Sequence, residues 1–294
     1  MDYQSNRGIP RLSMGTFRRA ALPGMHSILL HFGPLTLKAY GAMMALGFAA
    51  AWFAMVRLGR GSHRNADYLA SLCVWLMLAG LAGARLAYVA EHWTAEFAGH
   101  PWRVVRIDQG GVMFYGGVAG ATLALLLFVR RRGERLLEVA DLVLAALPLG
   151  HAFGRLGCFL HGCCHGRVSP GPLAVAFPAG SPAWEVQCQA GLVAPTAIRS
   201  LPVVPTQLFE AAANLLLFVV LAFLYPRLRQ RSGVIAALYF LFYPAIRFAI
   251  EPYRGDLRLP VGPFSVGQAA SLALFGFGVL LLALRLRRRP EPAA

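Results

Sequence analysis

The sequence predicts an all-α membrane protein. It has seven transmembrane helices, the N-terminus outside, the C-terminus cytoplasmic, and a re-entrant or broken glycine-rich segment. Three observations carry this. Of 294 residues, 57% are hydrophobic and 14% charged, where a soluble domain carries about a quarter charged residues. Apolar stretches of roughly 17 to 23 residues recur, each long enough to cross a ~30 Å hydrocarbon layer as a helix. Most basic residues sit at the ends of those stretches, where they set orientation.

Taken in order, the spans fall at roughly 39–56, 68–90, 112–129, 136–153, 206–225, 233–250 and 264–284. No repeat of fixed period stands out, and no soluble domain fits between spans. The longest connection, about 165–205, holds Pro170, Pro172, Pro178, Pro182, Pro195 and Pro202 and reads as an ordered loop. A single transmembrane domain over 25–285 is expected, followed by a basic cytoplasmic tail at 286–294.

Alternate connections carry Arg57, Arg60 and Arg64; Arg130, Arg131, Arg132 and Arg135; Arg227, Arg229 and Arg231; and Arg285, Arg287, Arg288 and Arg289, fourteen in all. The opposite connections hold Arg103 and Arg106, Arg167 and Arg199, Arg254 and Arg258. Arg199 is read as a solvated loop charge. This asymmetry gives the orientation, and the basic N-terminal segment is its one violation. Taking Met25 as the start removes it: residues 1–24 then become a non-native extension, and the outer count falls from eleven to seven.

Basic residues outnumber acidic ones 28 to 13, a formal charge of +15. Nucleic-acid binding is excluded because no basic face is interleaved with exposed aromatics. Five cysteines, three of them between 158 and 164, do not make a secreted disulfide framework. Dissimilar spans argue against an inverted-repeat transporter.

Arg85, Arg155 and Arg247 lie within or at the edges of spans. A charge at mid-bilayer costs about 2.5–3.5 kcal/mol on insertion scales, so each needs a partner or a polar cavity. Asp67, Asp141, Glu210 and Glu251 are the available carboxylates, and Glu251 shares a helix face with Arg247 four residues earlier. For Arg85, structural pairing and function stay open. For Arg155 and Arg247, function is preferred, because broken backbone at membrane depth is tolerated only against protein or a watery cavity.

Two glycine runs follow, GGVMFYGGVAGA at 110–121 and GRLGCFLHGCCHG at 154–166. Such glycines more often serve helix packing than ligands, yet those around Tyr115 leave its phenol uncrowded. The second run reads as re-entrant or unwound, its unpaired amides able to bind an anion beside Arg155. Within it, Cys158, His161, Cys163, Cys164 and His165 suggest zinc. Against zinc, adjacent cysteines on a helix diverge by about 100°. Small polar packing is preferred, a disulfide and a metal are the alternatives, and no metal or cofactor is assigned.

In order along the chain, AYGAMMALGF after a Gly-Pro, GARLAYV, GGVMFYGGVAG, ADLVLAALPLGHAFGRLGCF, PTQLFEA, YPAIRFAIEPYR and SVGQAASL resemble the prolipoprotein diacylglyceryl transferase family, from about Gly33 to Leu284. The resemblance implies transfer of a diacylglyceryl group from phosphatidylglycerol to the lipobox cysteine of a prolipoprotein, forming a thioether and releasing glycerol phosphate. It implies a monomer in the bacterial inner membrane, with the bilayer, phosphatidylglycerol and the prolipoprotein signal peptide as partners. Arg155 and Arg247 match the family's essential arginines, and Tyr40 and Tyr243 its tyrosines. Gly154, Gly157 and Gly166 match its glycine motif, and Gln207 and Glu210 its PxQLYE segment.

There are departures. Tyr115 replaces the histidine of GGxxFHGG. In GRxGNFxNxExxGR, Cys158 and His161 replace asparagines and Cys163 a glutamate; Val204 replaces the histidine before PxQ. Arg155, Arg247, Tyr115, His161 and His165 are the catalytic candidates: either His161 or His165 accepts the thiol proton, or the two arginines chiefly activate the thiol. Tyr40, Arg155, Gly154, Gly157, Gly166, Gln207, Glu210, Tyr243 and Arg247 are the substrate-binding candidates. The alternatives are a phospholipid enzyme with another acceptor and a non-catalytic lipid- or lipoprotein-binding protein.

Overall fold

The computed structural model describes residues 28–32, 35–60, 64–106, 110–255 and 260–287. The expected extension at 1–24 and the tail beyond 287 lie outside the described residues. Seven helices are long and apolar enough to cross a membrane: α1 (Ala39–Leu58), α2 (Ala66–Glu91), α3 (Phe114–Arg132), α4 (Leu136–His161), α6 (Thr206–Leu228), α7 (Val234–Ile250) and α8 (Val266–Leu286). Large apolar side chains on them face outward, among them Trp75, Leu86, Leu216 and Phe223. In water these would be a liability; in lipid they are the solvent-facing surface.

The chain also forms what the apolar pattern did not announce. A hairpin, β1 (Ile28–Phe32) with β2 (Leu35–Lys38), precedes α1, and a short α5 (Pro182–Gln189) stands in the loop after α4. Ser181 caps α5, accepting from the amide of Trp184. A second small hairpin, β3 (Pro260–Val261) with β4 (Phe264–Ser265), leads into α8.

Two compact units divide the chain. The first comprises Met1–Gly47, Pro148–Leu217 and Phe240–Val279; the second comprises Phe48–Leu147, Phe218–Tyr239 and Leu280–Ala294.

In the second unit, α3 packs closely on α2. A Cβ at Gly116 would meet Gly83 O at 2.5 Å, and one at Gly120 would strike Ala79 O, so these glycines serve backbone approach between helices. Among the described residues no carboxylate pairs with Arg85. Its Nε, Nη1 and Nη2 donate to the carbonyls of Val104, Gly110, Gly111, Arg103 and Arg106 at 2.7–2.9 Å. All five guanidinium donors are thereby used, and Arg85 organises the α2–α3 connection. Asp141 likewise does not pair with an intramembrane arginine as expected; its oxygens accept from the amides of Gly233 and Ala236 and cap α7. Arg64 bridges Glu134 and Glu138.

In the first unit, the 165–205 connection packs on the end of α4 through a small core of Phe159, Phe177, Ala183 and Val203. Bridges pair Val168 and Val175 with Val203, and Pro178 with Arg199. Arg199 itself is exposed, in keeping with a loop charge.

Candidate functional site

The glycine-rich segment 154–166 is helical in its first part and leaves the helix at Gly162. Residues 154–161 remain helical as the end of α4. The glycines are packing positions: a Cβ at Gly157 would meet Met43 Cβ at 3.1 Å and Tyr40 Cδ2 at 3.2 Å, and one at Gly154 would touch Met44 Sδ at 3.5 Å. Helix α1 therefore lies close against this stretch of α4 in the first unit.

The helix ends at a left-handed glycine, Gly162, with φ of 82°. The amides of Gly162 and Cys163 turn back to the carbonyls of Phe159 and Cys158, both at 3.1 Å, the bonding of a glycine C-cap. Gly166 and Arg167 donate to Val204 O and Tyr253 O at 2.8 and 2.9 Å. These four amides are consumed internally, so none of the four is left to cradle an anion. Gly166 also allows a three-way backbone crossing, since a Cβ there would meet Val204 O at 2.6 Å and Tyr253 O at 2.7 Å.

Arg155 and Arg247 both have buried carboxylate partners, contrary to the preference for unpaired functional arginines. Arg155 Nη2 on α4 lies 2.9 Å from Glu210 Oε1 on α6. Arg247 pairs with Glu251 across one turn at the end of α7. Glu251 Oε1 also accepts from Ser265 Oγ at 2.7 Å, and Gly267 leaves room for the carboxylate, because a Cβ there would come within 2.7 Å of Oε1. Neither arginine is closed over: their side chains keep 14% and 18% of their exposure. Arg155 Nε has no hydrogen-bond partner among the described residues.

Between these pairs stand His151 and Tyr243, with ring centroids 5.2 Å apart. Each lies within electrostatic reach of both Arg155 and Arg247, and Arg155 hydrogen-bonds the Tyr243 phenol. Two guanidinium groups from different helices thus flank one aromatic pair. His151 and Ser265 were not among the residues singled out, whereas Glu251 was named as the partner in reach of Arg247. His151 was legible in hindsight as a polar side chain one helical turn before Arg155.

The remaining candidates separate by place. Tyr40, at the start of α1, holds its ring 6.4 Å from that of His161 and lies within electrostatic reach of Arg155, Cys158, Cys163 and Cys164. His165 is buried, and its Nδ1 lies 2.9 Å from Gly166 O. A carbonyl only accepts, so Nδ1 carries the proton and Nε2 of the neutral ring is the basic nitrogen. Gln207 Nε2 donates to Cys163 O at 2.7 Å, and Thr206 Oγ1 to Cys164 O at 2.9 Å. Gln207 and Glu210 therefore position other groups, the turn and Arg155. Tyr115 belongs to the second unit, exposed on the first turn of α3 with its ring against Phe114.

Cys158, Cys163 and Cys164 bring their Sγ atoms within 4.8 Å of one another. The helical divergence argued against such a meeting, but Cys163 and Cys164 lie beyond the end of α4, where the C-cap folds the chain back over Cys158. Hydrogen bonds from Cys158 and Cys163, with Arg155 and Arg254 nearby, push the Cys164 thiol well below the ordinary thiol range.

A sequence model of the family "Prolipoprotein diacylglyceryl transferase" matches residues 27–284. Among curated relatives, a protein of Bordetella avium is 32% identical over 272 residues, covering 90% of this chain and 97% of its own. One of Pseudoalteromonas translucida is 33% identical over 271 residues, covering 90% and 94%. One of Geobacter sulfurreducens is 30% identical over 275 residues, covering 92% and 99%. Each is named phosphatidylglycerol–prolipoprotein diacylglyceryl transferase.

Proposed function

The chain belongs to the prolipoprotein diacylglyceryl transferase family, and from that premise we propose that it transfers the diacylglyceryl group of phosphatidylglycerol to the lipobox cysteine thiol of a prolipoprotein. The sulfur attacks the glyceryl carbon that bears the phosphate. The C–O bond breaks, a thioether forms, and glycerol phosphate departs with the electron pair of that bond. The thiol proton passes to a base in the protein. The enzyme sits in the bacterial inner membrane, N-terminus outside and C-terminus cytoplasmic, as a monomer.

The observation that carries this is the convergence of Arg155 and Arg247 on His151 and Tyr243. Displacement at a glycerol carbon develops charge on the leaving phosphate, and preorganised cations in a poorly solvated site are the strongest means of stabilising it. A guanidinium keeps its charge there and offers a fork matched to phosphate oxygens. Glu210 and Glu251 each engage one part of that fork, so the carboxylates aim the arginines while other N–H groups address the phosphate. The four charges sum to zero, which lets the cluster stand in a low-dielectric region before substrate arrives.

The thiol proton goes to one of two histidines. His165, with Nδ1 fixed on Gly166 O, presents Nε2 as acceptor; His161 is the second candidate, and Tyr40 beside it orients its ring. Phosphatidylglycerol binding is assigned to Tyr40, Tyr243 and the two arginines. Gly154, Gly157 and Gly166 keep α1 and the turn close enough to form the wall.

The test is complementation in a bacterium depleted of its own diacylglyceryl transferase, read by the mass of one marker lipoprotein. Wild type restores the diacylglyceryl mass increment and Arg155→Ala does not. Rescue by both proteins, or by neither with confirmed membrane insertion, defeats the proposal.

A further inference from the structure

We propose that Cys158, Cys163 and Cys164 form a three-thiolate site for a soft d10 metal ion, zinc(II) or copper(I). The three sulfurs lie within 4.8 Å of one another. Metal–sulfur bonds of about 2.3 Å place thiolates about 3.8 Å apart around a common ion, so small side-chain rotations close the triad. Thiolate ligands select this class of metal over the hard cations.

The convergence is built by the backbone. Cys158 lies in the last turn of α4, and the left-handed Gly162 reverses the chain so that the amide of Cys163 bonds to Cys158 O at 3.1 Å. This C-cap places the side chains of its first and last members against each other. Cys164 then adopts φ of 57° and is the one non-glycine residue at positive φ among the described residues. A residue outside Gly, Asn and Asp held there stores strain that the surroundings must over-determine. Here α6 does so: Thr206 Oγ1 and Gln207 Nε2 hold the carbonyls of Cys164 and Cys163 at 2.9 and 2.7 Å. Such supporting bonds fix ligands in metal centres.

Two disposed thiols would suffice for a disulfide, and a third would be left over. Three convergent thiols on one turn are the donor set of a metal site. Arg155 and Arg254 lie within electrostatic reach of Cys164, and Arg254 offsets part of the negative charge that three thiolates retain around a mono- or divalent ion. Each thiol releases its proton to solvent as the sulfur–metal bond forms. His165 is not a fourth ligand through Nδ1, which is engaged by Gly166 O.

The test uses the full chain, purified in detergent and reduced, and does not depend on transferase activity. Zinc(II) and copper(I) are added separately, unbound metal is removed, and metal per chain is measured. Cadmium(II) gives an ultraviolet sulfur-to-metal band as a direct sign of thiolate ligation. The expected result is roughly one ion per chain, lost in Cys158→Ser, Cys163→Ser and Cys164→Ser and kept in Cys188→Ser. In the wild-type chain the bound ion protects three thiols from a thiol reagent, and a chelator restores their reactivity, so the result does not hang on variants folding. Preference for zinc or copper follows from competition between the two arms. Equal metal retention by the serine variants, absence of uptake by the reduced wild type, or unprotected thiols at saturation would each overturn the site.

Discussion

Oε1 of Glu210 on α6 lies 2.9 Å from Nη2 of Arg155 on α4, and the glutamate side chain is 2% exposed. Such a pair is costly to desolvate and adds little stability over apolar residues of the same volume. Removing one partner is another matter, because it leaves a buried charge alone. Glu210→Ala is therefore expected to destabilise the protein by about 3–5 kcal/mol, and the double change Arg155→Met with Glu210→Leu to recover most of that loss without restoring transfer. Thermal unfolding in detergent measures the first effect and lipoprotein mass the second. An active double variant would show that the pair is structural only.

Arg247 tests the phosphate role from the other side. Replacing it by Ala removes the guanidinium but leaves Glu251 its bond from Ser265. Loss of a preorganised cation or donor lowers turnover by about 100- to 1,000-fold. Arg247→Lys keeps a charge without the planar fork and is expected to fall between wild type and Ala. Initial rates with a synthetic lipobox peptide and phosphatidylglycerol vesicles decide this; a lysine variant as active as wild type would mean that bidentate geometry is irrelevant.

How much of this was readable without coordinates differs by kind of interaction. The seven spans were legible because apolar length is a property of each segment alone. The Arg247–Glu251 pair was legible because four-residue spacing on a helix fixes proximity. The continuation of α4 to His161 was not. Gly154 and Gly157 carry the same local signal whether they break a helix or admit a neighbour, and only α1 packed against them settles which. The carbonyl cage around Arg85 leaves no side-chain trace, since its acceptors are backbone atoms of Arg103, Val104, Arg106, Gly110 and Gly111. The meeting of three cysteines was hidden by a helical assumption that fails at Gly162.

The proton acceptor is tested by His161→Gln and His165→Gln, singly and together. General-base loss reduces rate by about 100- to 10,000-fold. His165→Gln is expected to carry the larger share, because the bond from Nδ1 to Gly166 O commits Nε2 to the acceptor role. Rates are compared at several pH values, since a thiol already ionised at high pH needs no base and should narrow the gap. A double variant with wild-type rate at neutral pH would remove both histidines from the mechanism.

Gly116 offers a test of the α2–α3 contact that touches no candidate site residue. An added methyl would meet Gly83 O at 2.5 Å and press on Ala87 Cβ. Neither obstacle is the flexible end of a long side chain, so the helices must separate. Overpacking of this kind costs about 1–3 kcal/mol. Gly117→Ala, by contrast, meets Gly80 O at 3.3 Å and Ala84 Cβ at 3.4 Å, gaps that close by a few tenths of an ångström. Gly116→Ala should lower the unfolding midpoint in detergent and Gly117→Ala should move it far less. The ordering matters more than either value, for helix propensity favours alanine over glycine equally at both positions. If both variants unfold together with wild type, the glycines of 110–121 are not packing positions, and the exposed phenol of Tyr115 between them becomes the reason for their presence.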